Sequence, residues 1–194
     1  MIELPAGYTV ATASPTLIDY GVTQEANGRT EYIARPGSRY ALSVNLGPFY
    51  PEDGRVILAR MLSAKRKGFR MAYPLQHSQG TPGSTLVNGA VTAASETLNI
   101  KGATPGYQCK EGFWLSIQDG SGNHYLHNVE TGATATAGGL MTITVSPPLR
   151  FDFANNSVVN LAAPKVQGLI AGNQIEWSMS VDRMLPIAFE LIEQ

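Results

Sequence analysis

Only one stretch of this chain has the pattern of a long helix. Pro51-Glu52-Asp53 opens it with acids in the first turn, and Lys65, Arg66 and Lys67 close it before Gly68, so charges of each sign sit where the helix macrodipole favours them. Between these ends Ile57 and Met61, like Leu58 and Leu62, stand four residues apart beside Val56, while Arg55, Arg60 and Arg66 fall outside that stripe. The spacing predicts an amphipathic helix over residues 52–66, about four turns long. Nearly all of the chain's 20 Gly and 12 Pro lie elsewhere and interrupt any other helical period, which leaves strands and turns as the material for the rest of the fold.

The flanks of the helix read as strands. Residues 39–46 alternate, with Tyr40, Leu42, Val44 and Leu46 on one face and Ala41, Ser43 and Asn45 on the other, the period of a strand with one buried face. Phe69 to Tyr73 alternates again and stops at Pro74. The first 30 residues, broken by Pro5, Pro15 and Gly21, predict an arm or edge segment. From Thr85 to about Phe153 the texture changes to short apolar segments at residues 86–87, 97–100, 112–117, 124–129 and 140–145, separated by turns such as Asp119-Gly-Ser-Gly122, as in a small barrel or sandwich. A closing segment, Gln174 to Glu190, alternates through Ile175, Trp177, Met179 and Val181 until Pro186 interrupts it. The fold class expected is therefore mainly β: a β-sheet frame, residues 1–75 plus 150–194, with one amphipathic helix, and an inserted small β-barrel or sandwich module at 76–149.

At 194 residues and 43% hydrophobic content the chain has enough material for a sizeable core. Fourteen basic and 15 acidic residues give a net charge of −1, so no global field draws in nucleic acid or an anionic membrane. Charged residues make up 15%, against roughly 25% in an average domain, a charge-poor surface that suits burial against neighbouring subunits. One cysteine, Cys109, excludes an intramolecular disulfide and points to a reducing cytoplasm. The opening Met-Ile-Glu-Leu-Pro lacks a basic and apolar leader, and no stretch approaches the roughly 18 apolar residues of a span; neither secretion nor a membrane span is expected.

The candidates for chemistry are few. Cys109 with His124 and His127 suggests a thiol nucleophile, but no catalytic signature surrounds it, and residues three apart on a strand face opposite ways. The same geometry makes the histidines poor partners for one metal ion, even with His77 or Asp119. The expectation is an inert thiol whose replacement by Ser changes little, no catalytic residue, no metal and no cofactor. Lys65, Arg66, Lys67 and Arg70 form the strongest charge cluster, which complements the helix dipole and offers an electrostatic contact to a neighbouring subunit. Tyr107, Trp114 and Tyr125 are candidate stacking platforms for a host glycan in a rival reading, a carbohydrate-binding β module; strand aromatics belong more often to the core.

The order of Arg35-Pro-Gly-Ser-Arg-Tyr40, a strand, a helix ending Lys-Arg-Lys-Gly68 and a strand ending Tyr73-Pro74 resembles the distal tail or baseplate ring proteins of long-tailed bacteriophages. So do Val87-Asn-Gly-Ala90, Tyr107-Gln-Cys-Lys-Glu-Gly-Phe113 and Val145-Ser-Pro-Pro-Leu-Arg150 in the module. The resemblance spans residues 35–150 and the closing strands. It implies a tail-tube-like split-barrel frame and a structural virion protein forming a hexameric ring between the tail tube and the tail-tip or hub proteins. Its place would be the virion tail tip, assembled in the host cytoplasm. Tail-tube and other minor tail proteins share that frame. The resemblance carries over no catalytic residue.

Overall fold

The computed structural model describes residues 1–5, 7–33, 35, 37–172, 175, 177 and 184–194. In chain order its elements are β1 (Ile2–Glu3), β2 (Val10–Ile18), β3 (Val22–Ala26), β4 (Arg29–Ile33), β5 (Arg39–Phe49), α1 (Pro51–Lys67), β6 (Phe69–Ala72), β7 (Gly83–Val87), β8 (Thr97–Ala103), β9 (Gln108–Cys109), β10 (Trp114–Gln118), β11 (His124–Thr131), β12 (Ala133–Thr134), β13 (Met141–Ser146), β14 (Val159–Asn160), β15 (Lys165–Ile170) and β16 (Leu185–Glu193). Among the described residues the protein is mainly β with one helix, as the sequence predicts. It divides into two compact units. One comprises residues 1–17, 40–74 and 166–194, the other residues 18–39 and 75–165.

The first unit is a six-stranded sheet in the order β1-β6-β15-β16-β5-β2. Its centre is the antiparallel pair β5–β16, where Leu42, Val44 and Leu46 lie opposite Leu191, Phe189 and Ile187. All six are buried, so the alternation seen in β5 is met by an equal alternation in β16. The helix adds Gly54, Ile57, Met61 and Ala64 to this core. Full burial of an Ile or Met side chain contributes about 1.5–3 kcal/mol. Gly54 marks a close approach, since a Cβ there would stand 2.9 Å from Leu185 Cδ2. Phe69 meets Phe189 edge to face, ring centres 5.3 Å apart. The helix ends where its pattern stops, with the Gly68 N–H bonded to the Ala64 carbonyl at 2.8 Å.

Two expectations for this unit change. Strand β5 runs on through Gly47-Pro48 to Phe49 rather than ending at Leu46. The closing strand falls at Leu185–Glu193 and passes through Pro186; Ile187 to Ile192 pair with β5, so the proline sits near the strand's start, where a missing N–H is tolerated. The first part of the closing segment expected from Gln174, with Met179 and Val181, lies mostly outside the described residues. Of its members Trp177 forms an isolated antiparallel bridge to Ile187.

The second unit is built on a six-stranded sheet in the order β14-β10-β11-β13-β8-β7. Its two ends meet: the Val87 N–H donates to the Ser157 carbonyl at 2.9 Å, the Asn156 N–H donates to the Val87 carbonyl at 3.0 Å, and Leu86 bridges Val158. The sheet is thereby close to a closed barrel, which leaves few unpaired edges. Alternate residues fill it, among them Leu98, Ile100, Leu115, Ile117, Ile143 and Val145. Residues 150–165, expected in the frame, belong here instead, because Phe153 and Leu161 are buried in this core and Val159 pairs with Ile117. Residues 18–39 carry a separate hairpin, β3–β4, with Val22 opposite Ile33 and Ala26 opposite Arg29. Asn27 (φ 53°) and Gly28 (φ 71°) form its tip, the left-handed pair that a two-residue hairpin turn requires.

Candidate functional site

The four basic residues at the end of α1 do not act as one surface. Lys65 turns its ammonium back into the unit and donates to the carbonyls of Ile170, Ala171 and Gly172. Arg70 donates through Nε to Gln167 Oε1 at 2.7 Å and pairs with Glu3 Oε1 at 3.4 Å. Both therefore hold β15 and β1 to the frame. Arg66 and Lys67 are exposed and are the two members of the cluster left facing solvent.

The aromatic candidates likewise separate. In β10 and β11 the register sets Leu115 opposite His127 and Ile117 opposite Tyr125, whereas Trp114 is opposite Asn128; by strand alternation Trp114 and Tyr125 are on opposite faces of the sheet. Tyr125 packs against Phe151 and Phe153 at 4.9 and 5.6 Å between ring centres, lies beneath the Arg150 guanidinium and donates its hydroxyl to Asp119. Tyr107 packs on the barrel core and donates to the Gln79 carbonyl at 2.8 Å. Gln79 also binds the backbone of Trp114, so Tyr107 and Trp114 converge on one buried glutamine and not on a ligand surface.

Cys109 is buried in the barrel core, and burial pushes its thiol up to about 11, so the nucleophilic thiolate is scarce near neutral pH. His127 is fully buried. Its Nδ1 lies 3.0 Å from the Pro147 carbonyl, to which it donates as the neutral tautomer, and burial with the nearby Arg150 charge holds its pKa down to about 4. His124 stands 3.4 Å from Ser116 Oγ, a pairing that the sequence did not suggest. Both residues are buried, and Ser116 Oγ also accepts the Lys165 N–H at 2.9 Å, which makes the contact a tie within the second unit between β10, β11 and Lys165. Among the described residues no three His, Cys, Asp or Glu side chains converge, and no helix is long and apolar enough to cross a membrane.

The surface most in want of a partner is in the N-terminal third. Strand β2 is the nine-residue edge of the frame sheet, and six of its residues are exposed. Every residue of β3 and β4 except Val22 is exposed. Leu17, Tyr20, Tyr32 and Ile33 are between 42% and 58% exposed. The base of the hairpin is nevertheless fixed: the Asp19 carboxylate accepts the Tyr32 hydroxyl at 2.6 Å, the Ser38 hydroxyl at 2.7 Å and the Gly21 N–H at 3.0 Å. These bonds, the Tyr32 hydroxyl foremost, hold the carboxyl down at about 2. Arg39 closes the same base by donating to the Tyr20 hydroxyl and lying over its ring.

No protein-family model matches this chain, and no curated protein matches it.

Proposed function

We propose that this protein is a non-enzymatic structural subunit that assembles with copies of itself, of the distal tail or baseplate ring type that its sequence resembles. In that role it links the tail tube of a long-tailed phage to the tail-tip proteins after assembly in the host cytoplasm. The observation that carries this reading is the exposed N-terminal third. A long unpaired edge strand is a template for another chain, and an isolated two-stranded hairpin is marginally stable in water. Here the edge β2 and the hairpin β3–β4 stand together in sequence, apolar enough to bind and fixed at the base by Asp19. The low charge content supports the same reading.

Light scattering across a concentration series tests it. The mass should exceed the 20.8 kDa of one chain and reach a plateau at a fixed multiple, with rings visible by electron microscopy. A mass of one chain at every concentration would end the proposal.

A further inference from the structure

We infer that Asn27, at the tip of the β3–β4 hairpin, is a site of spontaneous deamidation, and that the chain's other Asn-Gly pair, Asn88-Gly89, is held back by Asn155. This goes beyond the self-assembly reading and does not depend on it.

The chain has two Asn-Gly pairs, at 27–28 and 88–89. In such a pair the Gly backbone nitrogen attacks the Asn side-chain carbonyl carbon, Cγ. A C–N bond forms, the side-chain nitrogen leaves as ammonia with the proton of the Gly N–H, and a five-membered succinimide results. Water then breaks the new bond to give aspartate, or the original peptide bond to give isoaspartate. Glycine obstructs the attack least because it has no Cβ beside its nitrogen. The step needs a Gly N–H that is not already bonded, and a backbone free to bring that nitrogen to Cγ.

The hairpin tip supplies both. Asn27 and Gly28 are exposed, and among the described residues the Gly28 N–H meets no acceptor. Both residues hold left-handed φ values, 53° and 71°, so closing the ring requires the turn to rotate. The hairpin around it is exposed at every position except Val22, and a segment with so little buried apolar surface opens readily. Its ties to Asp19 lie at the base, at Gly21, Tyr32 and Ser38, and leave the tip free.

The second pair is built the other way. The Gly89 N–H donates to Asn155 Oδ1 at 3.1 Å, and the Asn88 N–H donates to the Asn99 carbonyl at 2.8 Å. The preceding Val87 is buried and pairs with Ile100. A Cβ would meet nothing within 4 Å at either Gly28 or Gly89, so space does not separate the two sites; the bond on the attacking nitrogen and the anchoring to the barrel do. At position 27 either product adds a negative charge, and isoaspartate adds a methylene to the main chain inside a turn whose flanks, Ala26 and Arg29, are paired.

Peptide mapping reads both sites in one sample. Protein kept below the concentration at which light scattering detects association is incubated at mildly alkaline pH, digested and examined by mass spectrometry, with enzymatic methylation to mark isoaspartate. Aspartate and isoaspartate should accumulate at position 27 several-fold faster than at position 88, and the two rates should converge in urea. Asn155→Ala, a change at an exposed position, should raise the rate at position 88 about fivefold, the weight of one hydrogen bond. A position 27 that stays intact in the folded protein but reacts in urea would show that the hairpin protects its own tip, and the inference falls. Equal rates at the two sites in the folded protein, or a position 88 unmoved by Asn155→Ala, overturn the protection assigned to Asn155.

Discussion

The side chain of Gln79 completes the backbone of Trp114: the Trp114 N–H donates to Gln79 Oε1 at 2.6 Å, and Gln79 Nε2 donates to the Trp114 carbonyl at 2.7 Å. The same Nε2 donates to the Leu161 carbonyl. The β10–β14 ladder pairs Ser116 with Asn160 and Ile117 with Val159, and next to it one amide serves Trp114 and Leu161 together.

Gln79 should therefore be among the costliest polar positions of the second unit. Gln79→Ala removes three bonds to buried or half-buried backbone groups and should lower stability by about 3 kcal/mol or more, at roughly 1–3 kcal/mol per buried group left without its bond. Gln79→Glu should be no better, because its carboxylate would face two carbonyls. Urea unfolding of the three proteins checks this, and a neutral Glu variant would refute the bonding scheme.

The helix, the β5 alternation and the fold class were legible because each is written locally: dipole-matched ends, a 3.6-residue stripe, a period of two. Strand β14 was not, since two residues carry no periodicity and Val159 gains its place only by pairing with Ile117, 42 positions earlier. The hairpin was legible in principle. Asn27-Gly28 is a strong turn signal, but Thr, Gln and Glu around it lack the alternating apolar residues that usually accompany one. The basic cluster misled for a different reason: charge is visible in sequence, whereas the carbonyls that occupy Lys65 come from residues 170–172.

Acid should weaken the second unit through His127. Its folded-state pKa lies at about 4 against an ordinary 6.5, so the unfolded chain binds the proton first. The contribution is present in full above about pH 6.5 and is lost progressively as the pH falls toward 4, amounting to about 3 kcal/mol at the low end. His127→Gln should flatten the stability profile in that window. An unchanged slope would show that other groups dominate.

Cys109 should resist thiol reagents at pH 8 in the folded protein and react once it unfolds, because burial both shields it and keeps it protonated. Its place in the barrel core revises the expectation that Cys109→Ser is silent. Burying a hydroxyl there should cost about 1–3 kcal/mol, with self-association unchanged.

At Gly168 the neighbouring strand β16 leaves no room for a side chain. A Cβ at this position would overlap the Ile192 carbonyl group, backbone atoms that cannot swing aside. Gly168→Ala should therefore destabilise the first unit by about 3 kcal/mol, the upper end of overpacking costs, and lower its thermal midpoint. A variant as stable as the parent would mean the two strands separate more easily than their pairing implies.

Removing the hairpin should disrupt assembly far more than reversing the exposed charges of α1. Replacing residues 22–33 by a short Gly-Ser turn deletes a segment that is almost wholly exposed, so the folded monomer should survive while the oligomer is lost. The charge test belongs to Arg66→Glu and Lys67→Glu alone. Lys65 binds three carbonyls and Arg70 binds Gln167 and Glu3, so changing either would damage the frame and mimic an interface effect. Exposed ion pairs contribute about 0.2–1 kcal/mol each, which bounds the expected weakening at a few-fold per charge. The barrel can be tested in the same way. Strands β6 and β15 are neighbours in the frame sheet, so a short linker joining them in place of residues 78–162 should leave the six strands intact and the oligomer assembled. Light scattering of the three variants at matched concentration separates the contributions. If the barrel deletion is monomeric and the hairpin deletion still assembles, the self-association surface lies in the second unit's barrel and not in the N-terminal third.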